Sequence, residues 1–295
     1  MGSDAGDIPV SESPKRRDCV GGILLEVFKV MLVDYHVHTA LCGHAVGEME
    51  EYVRTAVDKD LEEMGFNDHA PTFHVQDPQL AMDADQLPLY VEQVRALQKR
   101  YSRPRIRLGV EADFVPGHEE DLARLLDRYE FDYVYGSVHI IGNWRFDDTR
   151  LYPDHYQGRD AEQAHRDYFE LVQRSARSGL FDILGHMDLI KKFNHWAQPE
   201  IDELLERTVK SIAEADVCVE VNTSGLRKPC REIYPSEEIL RLCRRHDVPV
   251  TLGSDAHHPR EVGMDFDRAV ILLKRLGYKK IATYEKRCRT MVDLA

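Results

Sequence analysis

The sequence predicts an α/β fold on a parallel sheet, open or closed into a barrel. Three observations lead there. From residue 32 onward, short β-rich runs alternate with longer amphipathic stretches, as in strand–helix–strand units. Seven such units occur, enough nearly to close a barrel. The ionisable residues that interrupt the apolar runs gather at their carboxyl ends, where parallel barrels build their sites.

The predicted strands are Leu32–His38, a weaker Met64–Asn67, Arg105–Phe114, Tyr133–His139, Ile183–His186, Val217–Asn222 and Val250–Gly253. Helical periodicity marks Glu48–Leu61, Leu87–Tyr101, Glu119–Tyr129, Ala161–Ser178, Ile201–Ala215, Glu237–Arg245 and Phe266–Leu276. Asp160 and Ser236 have the chemistry of helix N-caps, because their side-chain oxygens can accept from first-turn N–H groups. Gly179 and Gly277 suit helix C-termini. Leu226–Pro235, after the sixth strand, reads as a functional loop.

The chain has 295 residues, a length compatible with one large domain. Residues 1–30 differ in composition and read as a disordered leader, with Met31 a possible true start; residues 31–295 form the predicted barrel domain. The formal net charge of −13 argues against nucleic acid as the main partner, since binding a polyanion needs cations. The apolar stretch Val20–Val33 is broken by Glu26 and Lys29, too early for a membrane span. Six cysteines without a C-x-x-C pair fit free thiols in a reducing cytoplasm, the expected location.

Nine residues at six of the seven strand ends are candidate metal ligands: His36, His38, His44, His69, Glu111, His139, His186, Asp255 and His257. His36 with His38, and Asp255 with His257, are two residues apart, so on extended backbone each pair faces one way. A single strand-end histidine is commonly a packing residue. Seven histidines and two carboxylates converging on one face are not, because buried unpaired polar groups are costly. Imidazole and carboxylate suit Zn, Mn and Fe(II), and nine donors exceed one tetrahedral ion, so two or three divalent ions are expected. Glu111, the sole Glu of the set, is the natural bridge. Cys42 reads as a packed thiol.

Seven segments carry a family resemblance: Asp34-Tyr-His-Val-His-Thr39, Cys42-Gly-His-Ala45, Asp68-His-Ala-Pro71, Gly109-Val-Glu-Ala-Asp-Phe114, Gly136-Ser-Val-His139, Gly185-His-Met-Asp188 and Gly253-Ser-Asp-Ala-His257. In one order, they resemble the PHP (polymerase and histidinol phosphatase) superfamily. Ser178-Gly-Leu-Phe-Asp182, Lys191-Lys-Phe193, Val221-Asn-Thr-Ser-Gly-Leu-Arg227 and Glu261-Val-Gly263 resemble its monofunctional histidinol-phosphatase branch. The resemblance implies a distorted (β/α)7 TIM-like barrel with a trinuclear site. His36, His38, Glu111 and Asp255 would hold one ion, Glu111, His139 and His186 a second, and His44, His69 and His257 a third.

The implied reaction is hydrolysis of L-histidinol phosphate, a small phosphorylated substrate of histidine biosynthesis, by hydroxide bridging the metals. Glu111, Asp255 and His257 are the candidate catalytic residues. Arg227, Lys192 and Asn222 are the candidate substrate-binding residues, with Arg227 first because guanidinium matches phosphate bidentately. No G-x-S-x-G or arginine-bearing cysteine phosphatase motif competes. The alternatives are a PHP-type phosphodiesterase or exonuclease, another phosphomonoesterase, and a metal-binding barrel without turnover.

Overall fold

Seven parallel strands pair in sequential order, β1 to β7: Val33–Val37, Glu63–Phe66, Arg105–Asp113, Tyr133–Ser137, Ile183–Leu184, Cys218–Asn222 and Val250–Gly253. The computed structural model describes residues 32–74, 77, 79–151, 156, 158–195 and 201–294, so the predicted leader lies outside the described residues. The last strand returns to the first. Val37 bridges Ala256 in parallel, His38 N donates to Ala256 O (3.0 Å), and Ala256 N donates to His36 O (3.1 Å). The sheet is therefore a nearly closed barrel, as the seven units predict.

Helices follow the strands: α1 (Met49–Asp58), α2 (Leu87–Arg100), α3 (Glu119–Leu126), α4 (Ala161–Arg177), α5 (Asp202–Glu214), α6 (Glu237–Arg245) and α7 (Phe266–Arg275). The predicted caps form. Asp160 accepts from Glu162 N and Gln163 N at the start of α4, and Ser236 accepts from Ile239 N at the start of α6. Gly179 and Gly277 have φ of 71° and 85°, the left-handed backbone that ends a helix without strain in glycine.

The strands are buried on both faces, which explains their near-continuous apolar runs. Tyrosines fill the lower barrel. Tyr35 and Tyr133 stack with centroids 4.8 Å apart, and Tyr133 Oη donates to Tyr35 O at 2.9 Å. Gly65 and Gly109 make room for this ring: a Cβ on either would come within 1.9 and 2.2 Å of Tyr133. Below them, buried Glu63 accepts from Tyr35 Oη (2.5 Å), Arg105 Nη2 (2.6 Å) and Arg107 Nε (2.9 Å).

A C-terminal hairpin, β8 (Lys280–Glu285) and β9 (Cys288–Asp293), was not among the predicted elements. It covers the amino end of the barrel. Tyr284 N donates to Tyr35 Oη (3.2 Å), Thr251 Oγ1 donates to Ala282 O (2.9 Å), and Arg287 N donates to Asp132 O (2.8 Å).

Strands β1, β4 and β5 stop short of their predicted ends, at Val37, Ser137 and Leu184. The histidines at those ends lie just beyond the paired segments, and His186 takes a φ of 24°, outside strand geometry. No described helix is long and apolar enough to cross a membrane.

Candidate metal centre

All nine predicted donors meet at the carboxyl end of the barrel. His36 lies on β1 and His38 just after it; His69 follows β2; Glu111 lies on β3. His139, His186 and the pair Asp255 and His257 follow β4, β5 and β7. His44 comes from the loop after a short 3-10 turn, Ala40–Cys42, and is the exposed member of the set.

Glu111 is the centre of the cluster. Its Oε2 faces His69 Nδ1 (3.1 Å), His36 Nε2 (3.3 Å) and His38 Nε2 (3.6 Å). Its Oε1 faces His186 Nε2 (3.0 Å) and His139 Nε2 (3.7 Å). Asp255 Oδ1 lies 3.3 Å from His38 Nε2 and 3.9 Å from His36 Nε2. Donor atoms cluster within 4.8 Å in the groups His36, His38, Asp255; His36, Glu111, His186; His38, His69, His257; and Cys42, His44, His257. Glu111 thus divides its two oxygens between two groups of imidazoles, the geometry that a bridge requires.

Outer carboxylates turn these rings. Glu220 Oε1 accepts from His36 Nδ1 at 2.6 Å, and Glu220 Oε2 accepts from His186 N (2.8 Å) and Asn222 Nδ2 (3.0 Å). Asp113 pairs with His139 Nδ1 at 2.5 Å, and Asp68 with His38 Nδ1 at 3.4 Å and with Thr39 Oγ1. Each such contact leaves the ring's other nitrogen facing the cluster. Gly253 is required here, since a Cβ would lie 1.9 Å from Glu220 Oε1. Sequence reasoning missed Glu220. Its signal was available: a lone charge inside the apolar run Cys218–Asn222.

The electrostatics are those of a cation site. Burial alone would raise the Glu111 and Asp255 carboxyls. Instead His69, His36 and His186 hold Glu111 well below the usual range, and His36, His38 and His257 do the same for Asp255. Burial works against a charged His36, yet Glu220, Glu111 and Asp255 raise it well above an ordinary imidazole; Asp255 and Asp68 do so for His38. Burial lowers His69 and His257 well below normal, aided by His38 and His44, which keeps them neutral with lone pairs free to ligate. His36 Nε2, His38 Nε2 and Glu111 Oε2 are buried and lack hydrogen-bond partners, although they point at one another. Buried groups without partners are costly, and a divalent ion would satisfy all three together. The residues therefore fit imidazole–carboxylate coordination of Zn, Mn or Fe.

A pocket of about 450 Å³ opens above the donors. Lys192 lines it, with Nζ donating to Asp147 O at 2.6 Å. Arg227 and Asn222 do not line it, which differs from the expectation that they meet phosphate. Arg227 Nη2 donates to Ser254 O (2.6 Å) and Nη1 to Thr223 O (3.5 Å), so the guanidinium braces the loop behind Asp255. Asn222 Nδ2 donates to Glu220 and Asp255, and Ser224 Oγ donates to Asp255 Oδ2 at 2.9 Å. Three cations absent from the expected set face the pocket, Arg145, Arg150 and Lys228. Arg145 is engaged at both ends, Nη1 with Asp77 Oδ2 (3.0 Å) and Nη2 with Asp148 Oδ2 (3.2 Å). Burial and the nearby Lys192 lower the Lys228 ammonium.

Fold and donor set together define a class, a parallel β/α barrel that masses metal donors at its carboxyl end. A family model, the PHP domain, matches residues 34–224. The chain is 40% identical over 251 residues to a Deinococcus radiodurans protein named "Probable histidinol-phosphatase", a match covering 85% of this chain and 95% of that one. It is 27% identical over 259 residues to the Bacillus subtilis protein named histidinol-phosphatase, covering 79% of this chain and 96% of that one. The histidinol phosphate phosphatase of Lactococcus lactis, solved with Zn, L-histidinol and phosphate, superposes with a TM-score of 0.77 at 22% identity, covering 88% of this chain and 98% of that one. The chain belongs to the PHP domain family.

Proposed function

We propose that this chain is a metal-dependent histidinol-phosphatase, converting L-histidinol phosphate and water to L-histidinol and phosphate. The observation that carries the chemistry is Glu111, whose two oxygens are shared among five imidazoles. The 40% identity to a protein of that name supports the substrate.

His36, His38, Glu111 and Asp255 would hold one ion, Glu111, His139 and His186 a second, and His44, His69 and His257 a third. Zn, Mn or Fe so held would lower the pKa of a bound water to about 7 and neutralise phosphoryl charge. Glu111, Asp255 and His257 would lie beside the reacting group, with Ser224 and Asn222 fixing the second oxygen of Asp255. Lys192 and Lys228 would meet the phosphate from the pocket wall. In the reaction the bond between phosphorus and the histidinol oxygen breaks, a water oxygen takes its place on phosphorus, and a proton from water ends on the histidinol hydroxyl. The five free thiols among the described residues support action in a reducing cytoplasm.

The test is phosphate release from L-histidinol phosphate, beside a panel of phosphomonoesters and diesters, on protein of counted metal content. Strong preference for histidinol phosphate with two or three ions per chain is expected. Preference for diesters would move the protein to a nuclease-like branch and overturn the proposal.

A further inference from the structure

The pocket rim carries ion pairs that the chemistry above does not use. Asp77 lies between β2 and α2; Arg145, Asp148 and Arg150 lie between β4 and α4. Asp77 Oδ2 accepts from Arg145 Nη1 (3.0 Å) and Arg150 Nη2 (3.2 Å). Gln79 Oε1 accepts from Arg150 Nη1 at 2.9 Å. Asp148 holds Arg150 in place through Nε (2.9 Å) and Nη2 (2.8 Å). Gln79, Asp148 and Arg150 line the same pocket as the metal donors.

Two loops about seventy residues apart in sequence are thus tied across one opening. Arg150 is 49% exposed, so the tie sits at the solvent edge. Exposed ion pairs add little to folding stability, because water screens them and long side chains lose freedom. Stability therefore does not account for Arg150 joining Asp77, Gln79, Arg145 and Asp148 here. Their geometric effect does: they limit how far the two loops can separate. The Gln79 N–H and the two arginines hold the Asp77 carboxyl at about 2, so the tie stays charged at neutral pH.

We propose that the Asp77–Arg150 tie is a specificity determinant that sets the outer limit of the pocket, admitting compact phosphomonoesters and rejecting those with a nucleoside-sized leaving group. The inference rests on the phosphomonoesterase reading of the site.

Arg150→Ala and Asp77→Asn test it on the full, metal-loaded chain. One removes a positive charge and the other a negative charge, and both weaken the tie, the first by losing the Arg150 contacts to Asp77 and Gln79, the second by taking the charge out of the contacts from Arg145 and Arg150 to Asp77. The readout is kcat/KM for adenosine 5′-monophosphate relative to L-histidinol phosphate, with melting temperature and metal content measured alongside. The ratio is expected to rise in both variants, on the order of tenfold. An unchanged ratio, or opposite movement in the two variants, overturns the proposal; opposite movement would mean simple attraction of phosphate to Arg150. Wild-type protein that ignores histidinol phosphate overturns the parent reading instead, and the ratio is then taken against the smallest phosphomonoester it turns over. Turnover of no phosphomonoester at all overturns both.

Discussion

Glu220 accepts the Nδ1 proton of His36 at 2.6 Å where both side chains are fully buried, and this fixes Nε2 as the nitrogen that faces Glu111 and Asp255. The carboxylate is a positioning residue, since it reaches the reacting centre only through the imidazole. Glu220→Gln keeps the shape and removes the charge. Metal affinity should fall roughly 10- to 100-fold, as for other carboxylates behind ligating histidines. Zn titration against a competing chelator reads this directly; unchanged affinity would refute the role.

Glu111→Gln should remove the shared ligand and with it the centre's organisation. We expect loss of more than one ion per chain by elemental analysis, and a fall in kcat on the order of 10³-fold or more, at least that of deleting one preorganised charge-stabilising group. Retention of the full metal count would show that Glu111 does not bridge.

Acidification should strip the metal. His36 and His38 bind protons well above the ordinary imidazole range because of the carboxylates around them, and an ion must displace those protons. Affinity therefore falls as pH falls, with proton uptake on release. Dialysis at equal free Zn at about pH 8 and about pH 5.5, on either side of an ordinary imidazole, followed by metal counting, tests the sign.

At the opposite end of the barrel, burial would raise Glu63, but Arg107, Tyr35 and Arg105 outweigh it and the carboxyl sits below its usual range. Its contribution to stability is present above the unfolded value of about 4.3 and is lost as pH falls through the lower folded value. Glu63→Gln should cost about 2 kcal/mol at neutral pH, less than the roughly 3–5 of a fully buried pair because Arg105 is 55% exposed. Denaturant melts should show that difference shrinking as pH drops below about 4.

Much of this was legible in the sequence because the barrel writes its signals locally. Each strand is a short apolar run closed by a polar residue, and each helix is periodic, so seven units and nine donors could be placed. The hairpin β8–β9 was not, because its turn is Lys286-Arg287, with φ of 50° and 61°, and carries none of the glycine or asparagine that marks such turns. The aim of a long side chain was equally hidden. Arg227 follows β6 as a phosphate ligand would, but its guanidinium is spent on the Ser254 and Thr223 carbonyls. Lys228, one residue on, lines the pocket instead.

The contact that closes the barrel runs between His36 and His38 on one lip and Ala256 on the other, with Asp255 and His257 flanking it. Ligands thus stand on both sides of the seam. An ion gripped by His36, His38 and Asp255 would also be a clasp between the first strand and the last. Ligation and closure then become one linked equilibrium: strengthening either must strengthen the other by the same free energy. A substitution that loosens the seam far from any donor would be felt as weaker metal binding, and a chelator would be felt as a softer barrel.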